Sequence, residues 1–139
     1  MLVFSEYQTD TIDLALDFYG YEDCPKNYEF GPSVRDNFVL HFITKGKGVF
    51  HFNKKEIHLE AGDLFLLPKN KVTYYKADEE EPWSYYWIGI SGTKVSDFMR
   101  FSTLHEKGFL KKTEVETEKI GQFMEQLVHK AEASKMTSH

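Results

Sequence analysis

A single cysteine, Cys24, rules out an intrachain disulfide and with it the secreted scaffolds that need cross-links to fold. A reducing cytoplasm is the expected home. Basic residues are outnumbered, 17 Lys and Arg against 22 Asp and Glu, and they gather no more densely than Lys54-Lys55 or Lys111-Lys112. That surface lacks the positive footprint that nucleic acid requires, so these residues are not expected to touch DNA themselves. No apolar run approaches the roughly 20 residues of a membrane helix. Glu6, Asp10 and Asp13 break the opening apolar stretch where a signal peptide would carry its hydrophobic region. Neither partner nor location involving a membrane is expected. Gly46-x-Gly48 links two strands and reads as a turn rather than a phosphate cradle, and no nucleophile turn is present. Cys24 sits beside Pro25 with no basic neighbour to activate its thiol. There is no internal repeat and no low-complexity tract.

What is abundant is aromatic surface, 16% of 139 residues, which favours strands over a helical bundle in a chain of single-domain length. Residues 1 to 36 read as an arm with short strands: Leu2-Val3-Phe4 is one candidate, and the alternation of Ile12, Leu14, Leu16 and Phe18 predicts another. Asp23-Cys24-Pro25 and Gly31-Pro32 read as turns. From Asn37 the pattern is regular, predicting strands over 37–44, 48–53, 55–59, 63–67, 72–77 and 84–90. Tight turns at Gly46-Lys47-Gly48, Asn53-Lys54-Lys55 and Glu60-Ala61-Gly62-Asp63 separate them. Six or more short strands at this spacing imply a sandwich or a barrel. After Gly92 the period lengthens. Val95, Phe98, Met99 and Ser102 predict a helix over 93–104, and Thr113-x-x-Glu116 reads as a capping box opening a second helix to about residue 133. Its stripe of Ile120, Phe123, Met124, Leu127, Val128 and Ala131 must bury against the barrel or against a second subunit, with Phe123 and Leu127 as anchors in the latter case.

The densest stretch is Pro82-Trp83-Ser84-Tyr85-Tyr86-Trp87-Ile88-Gly89-Ile90. Strand alternation puts Trp83, Tyr85 and Trp87 on one face, and Ser84, Tyr86 and Ile88 on the other. Rings with a polar handle suit sugars, since a flat face stacks while an O–H or N–H fixes orientation. The same rings also suit a barrel core, and the local pattern leaves both readings open.

The order Gly46-Lys-Gly48, Leu59-Glu-Ala-Gly62-Asp63-Leu-Phe-Leu-Leu-Pro68, Tyr75, and Pro82-Trp83-Ser-Tyr-Tyr-Trp87-Ile-Gly-Ile-Ser-Gly92 resembles the N-terminal sensor domain of AraC-family transcription regulators of the sugar-utilisation type. The resemblance covers nearly the whole chain and is strongest over 37–92. It implies a mainly β, cupin-like β-barrel of jelly-roll type over 1–92, with an N-terminal arm, followed by a helical dimerisation or linker segment over 93–139. It further implies a small-molecule effector, a mono- or oligosaccharide, and a homodimer in the full-length protein. DNA would be reached only through a helix-turn-helix domain downstream of these residues.

Tyr75, Tyr85 and Trp87 match family positions that point into the effector cavity. Arg35 is one of only two arginines, and its fork of donors suits a pair of hydroxyls or a carboxylate as well as a surface ion pair. His41 shares a strand face with Val39 and Ile43, where it can donate one hydrogen bond to a ligand or serve as a structural histidine. A metal-dependent cupin enzyme is the alternative, but His41, His51 and His58 stand singly with no His-x-His, and a third converging ligand is hard to find. A barrel serving only assembly is the third reading. The expectation is therefore a sensor with no metal, no other cofactor and no catalytic residue, its ligand held by Arg35, His41, Tyr75, Tyr85 and Trp87.

Overall fold

The computed structural model describes residues 14–137, so the arm and the strand expected at Leu2-Val3-Phe4 lie outside the described residues. Among the described residues nine strands form two antiparallel sheets. The five-stranded sheet has the order β1 (Ala15–Asp23), β8 (Ser84–Ser91), β3 (Phe38–Lys45), β6 (Leu64–Leu67), β9 (Phe109–Leu110). The four-stranded sheet has the order β2 (Glu29–Ser33), β7 (Thr73–Ala77), β4 (Lys47–Phe52), β5 (Lys55–Glu60). Their inner faces enclose one core, a cupin-like barrel in which Ile43, Phe50, Leu59, Phe65, Trp83 and Tyr85 are buried. The six strands expected between 37 and 90 are all present, within two residues at each end.

Three helices follow: α1 (Thr93–Arg100), α2 (Thr103–Lys107) and α3 (Glu118–Thr137). They cover the outer face of the five-stranded sheet, where Leu40, Leu64, Leu66 and Ile88 meet Val95, Met99, Met124 and Val128. This sheet is buried on both sides, which is why β6 reads as the unbroken apolar run Leu64-Phe65-Leu66-Leu67. No helix among the described residues is long and apolar enough to cross a membrane.

Four details depart from the sequence reading. Gly31-Pro32 does not end an element; it lies within β2, where pairing with β7 slips between Phe30 and Ser33. The helix expected over 93–104 breaks at Phe101, and Ser102 caps α2 by accepting a hydrogen bond from the His105 N–H at 3.0 Å. α2 then ends at Gly108, whose φ of 85° is the left-handed closure expected of glycine. The Thr113 capping box does not start α3. Instead Glu114 and Val115 turn back on the Lys111 carbonyl, and the helix begins only at Glu118. The cause is buried Asp63, which accepts from the backbone N–H groups of Glu60 and Lys112, both at 2.9 Å. Thr117 adds a hydroxyl bond to the Gly62 carbonyl, so residues 112–117 are held to the β5–β6 turn and cannot coil.

The fourth concerns β1. Period-two alternation would place Leu16 and Phe18 on one face, but the register shifts between them. Leu16 faces the helices and Phe18 packs on the barrel core. One extra residue therefore turns the rest of β1 over, and a bulge is the standard device for that.

Candidate ligand-binding cavity

The reversal of β1 supplies one wall of a cavity of about 130 Å³ inside the barrel. Phe18 and Glu22 line it from β1, Val39 and His41 from β3, and Tyr85 and Trp87 from β8. Tyr75 on β7, Phe30 on β2, Arg35 from the β2–β3 connection and Tyr28 complete much of the opposite side. The five residues singled out from sequence, Arg35, His41, Tyr75, Tyr85 and Trp87, are thus brought to one place. The sequence reading missed Phe18, Glu22, Tyr28 and Phe30 from the stretch read as irregular, and Val39 and Leu67 from the regular strands.

Trp87 is oriented by what its neighbours lack. Its register partner on β1 is Gly20, and a Cβ there would fall 2.3 Å from the indole ring. Phe18 lies in the same way over Gly89, at 2.3 Å from a built Cβ. Each glycine leaves a flat bed for a ring from the neighbouring strand, an arrangement that pins both rings without filling the cavity. Trp83, expected on the same face as Trp87, takes the other option open to such rings. It is fully buried, stacked on Phe65 at 5.2 Å, and belongs to the core.

The polar groups are held for hydrogen bonding rather than for proton transfer. The Tyr85 hydroxyl donates to that of Tyr75 at 3.4 Å, and burial pushes the pKa of both phenols well above their usual value, so both keep their protons. His41 is stacked face to face on Phe65 at 4.2 Å and flanked edgewise by Tyr75 and Tyr85. Burial lowers its pKa to about 3, so the ring is neutral at ordinary pH. Its Nδ1 and the Nε of Arg35 are buried without hydrogen-bond partners. Such orphans are expected where a ligand or water completes the set. The Arg35 guanidinium carbon lies 5.5 Å from the Phe18 ring and 5.0 Å from that of Phe30, cation–π contacts that hold it in place. Nearby Cys24 has its thiol pushed up to about 11 by burial and is an unreactive neighbour.

The histidines do not converge. His51 and His58 lie on the exposed face of the β4–β5 hairpin, 3.8 and 3.5 Å from Glu56 oxygens, on the opposite side of the sheet from the barrel interior. Among the described residues no group of three or more His, Cys, Asp or Glu side chains could hold a metal. A larger open groove of about 720 Å³ runs between that hairpin and α2, with Lys55, Glu106, Lys107 and Lys111 along it. Two of its lysines are engaged locally: Lys107 pairs with Glu114 at 3.7 Å, and Lys111 donates to the His58 carbonyl at 3.0 Å.

Similarity to known proteins agrees with this architecture. The chain is 46% identical over 105 residues to the Msm operon regulatory protein of Streptococcus mutans, covering 76% of this chain and 38% of that protein. It is 41% identical over 100 residues to the raffinose operon transcriptional regulatory protein RafR of Pediococcus pentosaceus, covering 70% and 36%. The chain therefore spans less than two-fifths of these curated relatives. In fold, the Schizosaccharomyces pombe Cnp3 cupin domain superposes with a TM-score of 0.50 at 16% identity, over 67% of this chain and 66% of that one. Residues 15–138 match the AraC-like ligand binding domain, and the chain, matched over almost its whole length, belongs to that family.

Proposed function

We propose that this chain is the ligand-sensing and dimerisation domain of a cytoplasmic transcription regulator, and that a sugar bound inside the barrel controls carbohydrate-utilisation genes. The observation that carries the reading is the convergence of a pinned Trp87 ring, the Tyr75 and Tyr85 hydroxyls, His41 and Arg35 on one cavity. A ring face for stacking, two phenols, a neutral imidazole and a guanidinium fork match a molecule with apolar C–H faces and a hydroxyl rim. The raffinose operon named for one relative supports a sugar. A cavity of about 130 Å³ admits no more than a single sugar unit, so a larger saccharide would seat one unit there. DNA contact would come from a helix-turn-helix domain outside these residues.

Raffinose, galactose, lactose and sucrose form the first panel. A ligand at 100 times its Kd adds about 2.7 kcal/mol of stability, a readily measured thermal shift. Trp87→Ala should weaken binding by about 1–3 kcal/mol, or roughly 5- to 150-fold, while intrinsic fluorescence of the wild-type protein reports the contact directly. If no sugar or glycoside moves the emission or the melting temperature, the sugar reading fails.

Dimerisation rests on the apolar stripe of α3, which is divided between two duties. Met124, Val128 and Ala131 are buried, and Leu127 is half-buried in the same cluster. Phe123 is 61% exposed, and with Ile120 and Phe98 it borders an apolar groove of about 540 Å³. Leu127→Glu is therefore expected to destabilise the fold by about 2–3 kcal/mol, through the cost of burying a charge. Phe123→Glu is expected to leave stability within about 1 kcal/mol and to weaken self-association. Sedimentation of both variants beside the parent decides the point: a folded monomer produced by Leu127→Glu would assign the interface to the wrong face.

A further inference from the structure

Two charged side chains line the barrel cavity, Glu22 and Arg35, and their charges cancel. They approach it from different elements. Glu22 lies on β1 opposite Tyr85, on the face turned inward by the bulge, whereas Arg35 lies on the β2–β3 connection against Phe18 and Phe30. Among the described residues neither makes an ion pair within 4 Å, although five pairs of Lys or Arg with a carboxylate form elsewhere among them. Both are half-buried, so neither is merely a solvated surface charge. His41, the other titratable base in the wall, is neutral.

We propose that Glu22 is a specificity-determining residue, which with Arg35 restricts the cavity to ligands of no net charge and rejects phosphorylated or acidic sugars. The inference rests on the sugar reading above and adds a charge class to it. With Arg35 alone, the cavity would hold one uncompensated cation beside several hydroxyl donors, the composition that selects carboxylates and phosphates. The Glu22 carboxylate opposes that field. An anionic substituent seated on Arg35 must come close to a second negative charge in a space of about 130 Å³, and the repulsion is weakly screened there. A neutral sugar avoids the conflict, donating hydroxyl protons to Glu22 and accepting from Arg35. Discrimination therefore comes from the repulsive partner as much as from the attractive one.

The test compares galactose, galacturonate and galactose 6-phosphate, with galactosamine as the cationic control, on the full chain and on Glu22→Gln. The amide keeps the shape and an acceptor while removing the charge. The wild-type chain is expected to prefer galactose over galacturonate by at least tenfold, measured by tryptophan emission. Glu22→Gln should raise the affinity for galacturonate relative to galactose at least tenfold, raise that for galactose 6-phosphate in the same direction, and weaken galactosamine. Equal binding of galactose and galacturonate by the wild-type chain overturns the inference, and so does an unchanged ratio in Glu22→Gln. In both cases galactose still binds and the sugar reading survives. Silence from both proteins toward these compounds and toward every other sugar and glycoside tried overturns the sugar reading itself, and the charge filter with it.

Discussion

Trp83→Ala will lower the stability of the domain by about 3–5 kcal/mol, the usual cost of deleting a large ring from a closed core. For 139 residues this corresponds to a fall in Tm of about 10–17 °C. The indole has no exposed surface and is enclosed by rings on several sides, with centroids of Phe65, Tyr75 and Tyr85 at 5.2, 6.1 and 6.2 Å. The backbone has been shaped to admit it. A Cβ on Gly48 would lie 2.6 Å from the six-membered ring of the indole and 2.6 Å from the Lys76 carbonyl, and Gly46 turns at a φ of 76° with its own Cβ position 2.8 Å from the Trp83 Cα. Neighbours so constrained cannot collapse into the space left by alanine, which is the condition for a cost at the high end. Trp83→Phe separates ring volume from polarity. The indole Nε1 is buried without a hydrogen-bond partner, so phenylalanine removes an unsatisfied donor while leaving a smaller void, and about 1–2 kcal/mol is expected. Chemical denaturation of the three proteins measures both steps. Equal losses for Ala and Phe would mean that the indole nitrogen matters to stability after all.

The contrast between Trp83 and Trp87 marks how far the sequence could be read. Alternation correctly separated Tyr85 and Trp87, which pack in the barrel core, from Tyr86 and Ile88, which pack under the helices, because a strand's side chains must alternate. It could not say which inward ring would be core and which would border empty space. That depends on Gly20 and Gly89 across the β1–β8 ladder, a pairing 60 or more residues apart in the chain. The strands from 37 to 90 were legible because glycine and asparagine turns delimit them, whereas the bulge at Leu16–Phe18 was not, since one inserted residue leaves each half of the pattern looking regular. The α3 start was misplaced for a related reason. Thr113 and Glu116 satisfy the local capping rule, but Asp63, some fifty residues earlier, holds Lys112 in an extended turn. Of the cavity wall, the half on regular strands was accessible and the half built by β1, Tyr28 and Phe30 was not, because long-range pairing alone brings it into place.

His41 should make the domain acid-sensitive in a way that a single substitution removes. In the unfolded chain its imidazole titrates near the ordinary value of about 6.5. In the fold, burial is the chief cause that lowers it to about 3, with the positive charge of Arg35 adding to the shift and a contact with the Val39 backbone opposing it. Below pH 6.5 the unfolded state therefore takes up a proton that the folded state refuses. Stability from this residue is complete above pH 6.5, declines as pH falls, and changes by about 1.4 kcal/mol per pH unit once the unfolded ring is mostly protonated. The decline ends near pH 3, where the buried ring also binds a proton. Between pH 7.5 and 4.5 the wild-type domain should lose about 2.5–3 kcal/mol more than His41→Gln, which does not titrate. Carboxylates elsewhere titrate alike in both proteins, so the difference between the two curves isolates His41. Urea denaturation at half-unit intervals of pH measures it. Parallel curves would show that His41 gains its proton without unfolding, and hence that water or a ligand group reaches Nδ1 in the folded state. Divergent curves would leave a ring that stays neutral throughout the physiological range, able to hydrogen-bond an uncharged ligand but unable to supply the positive charge that an acidic one would need.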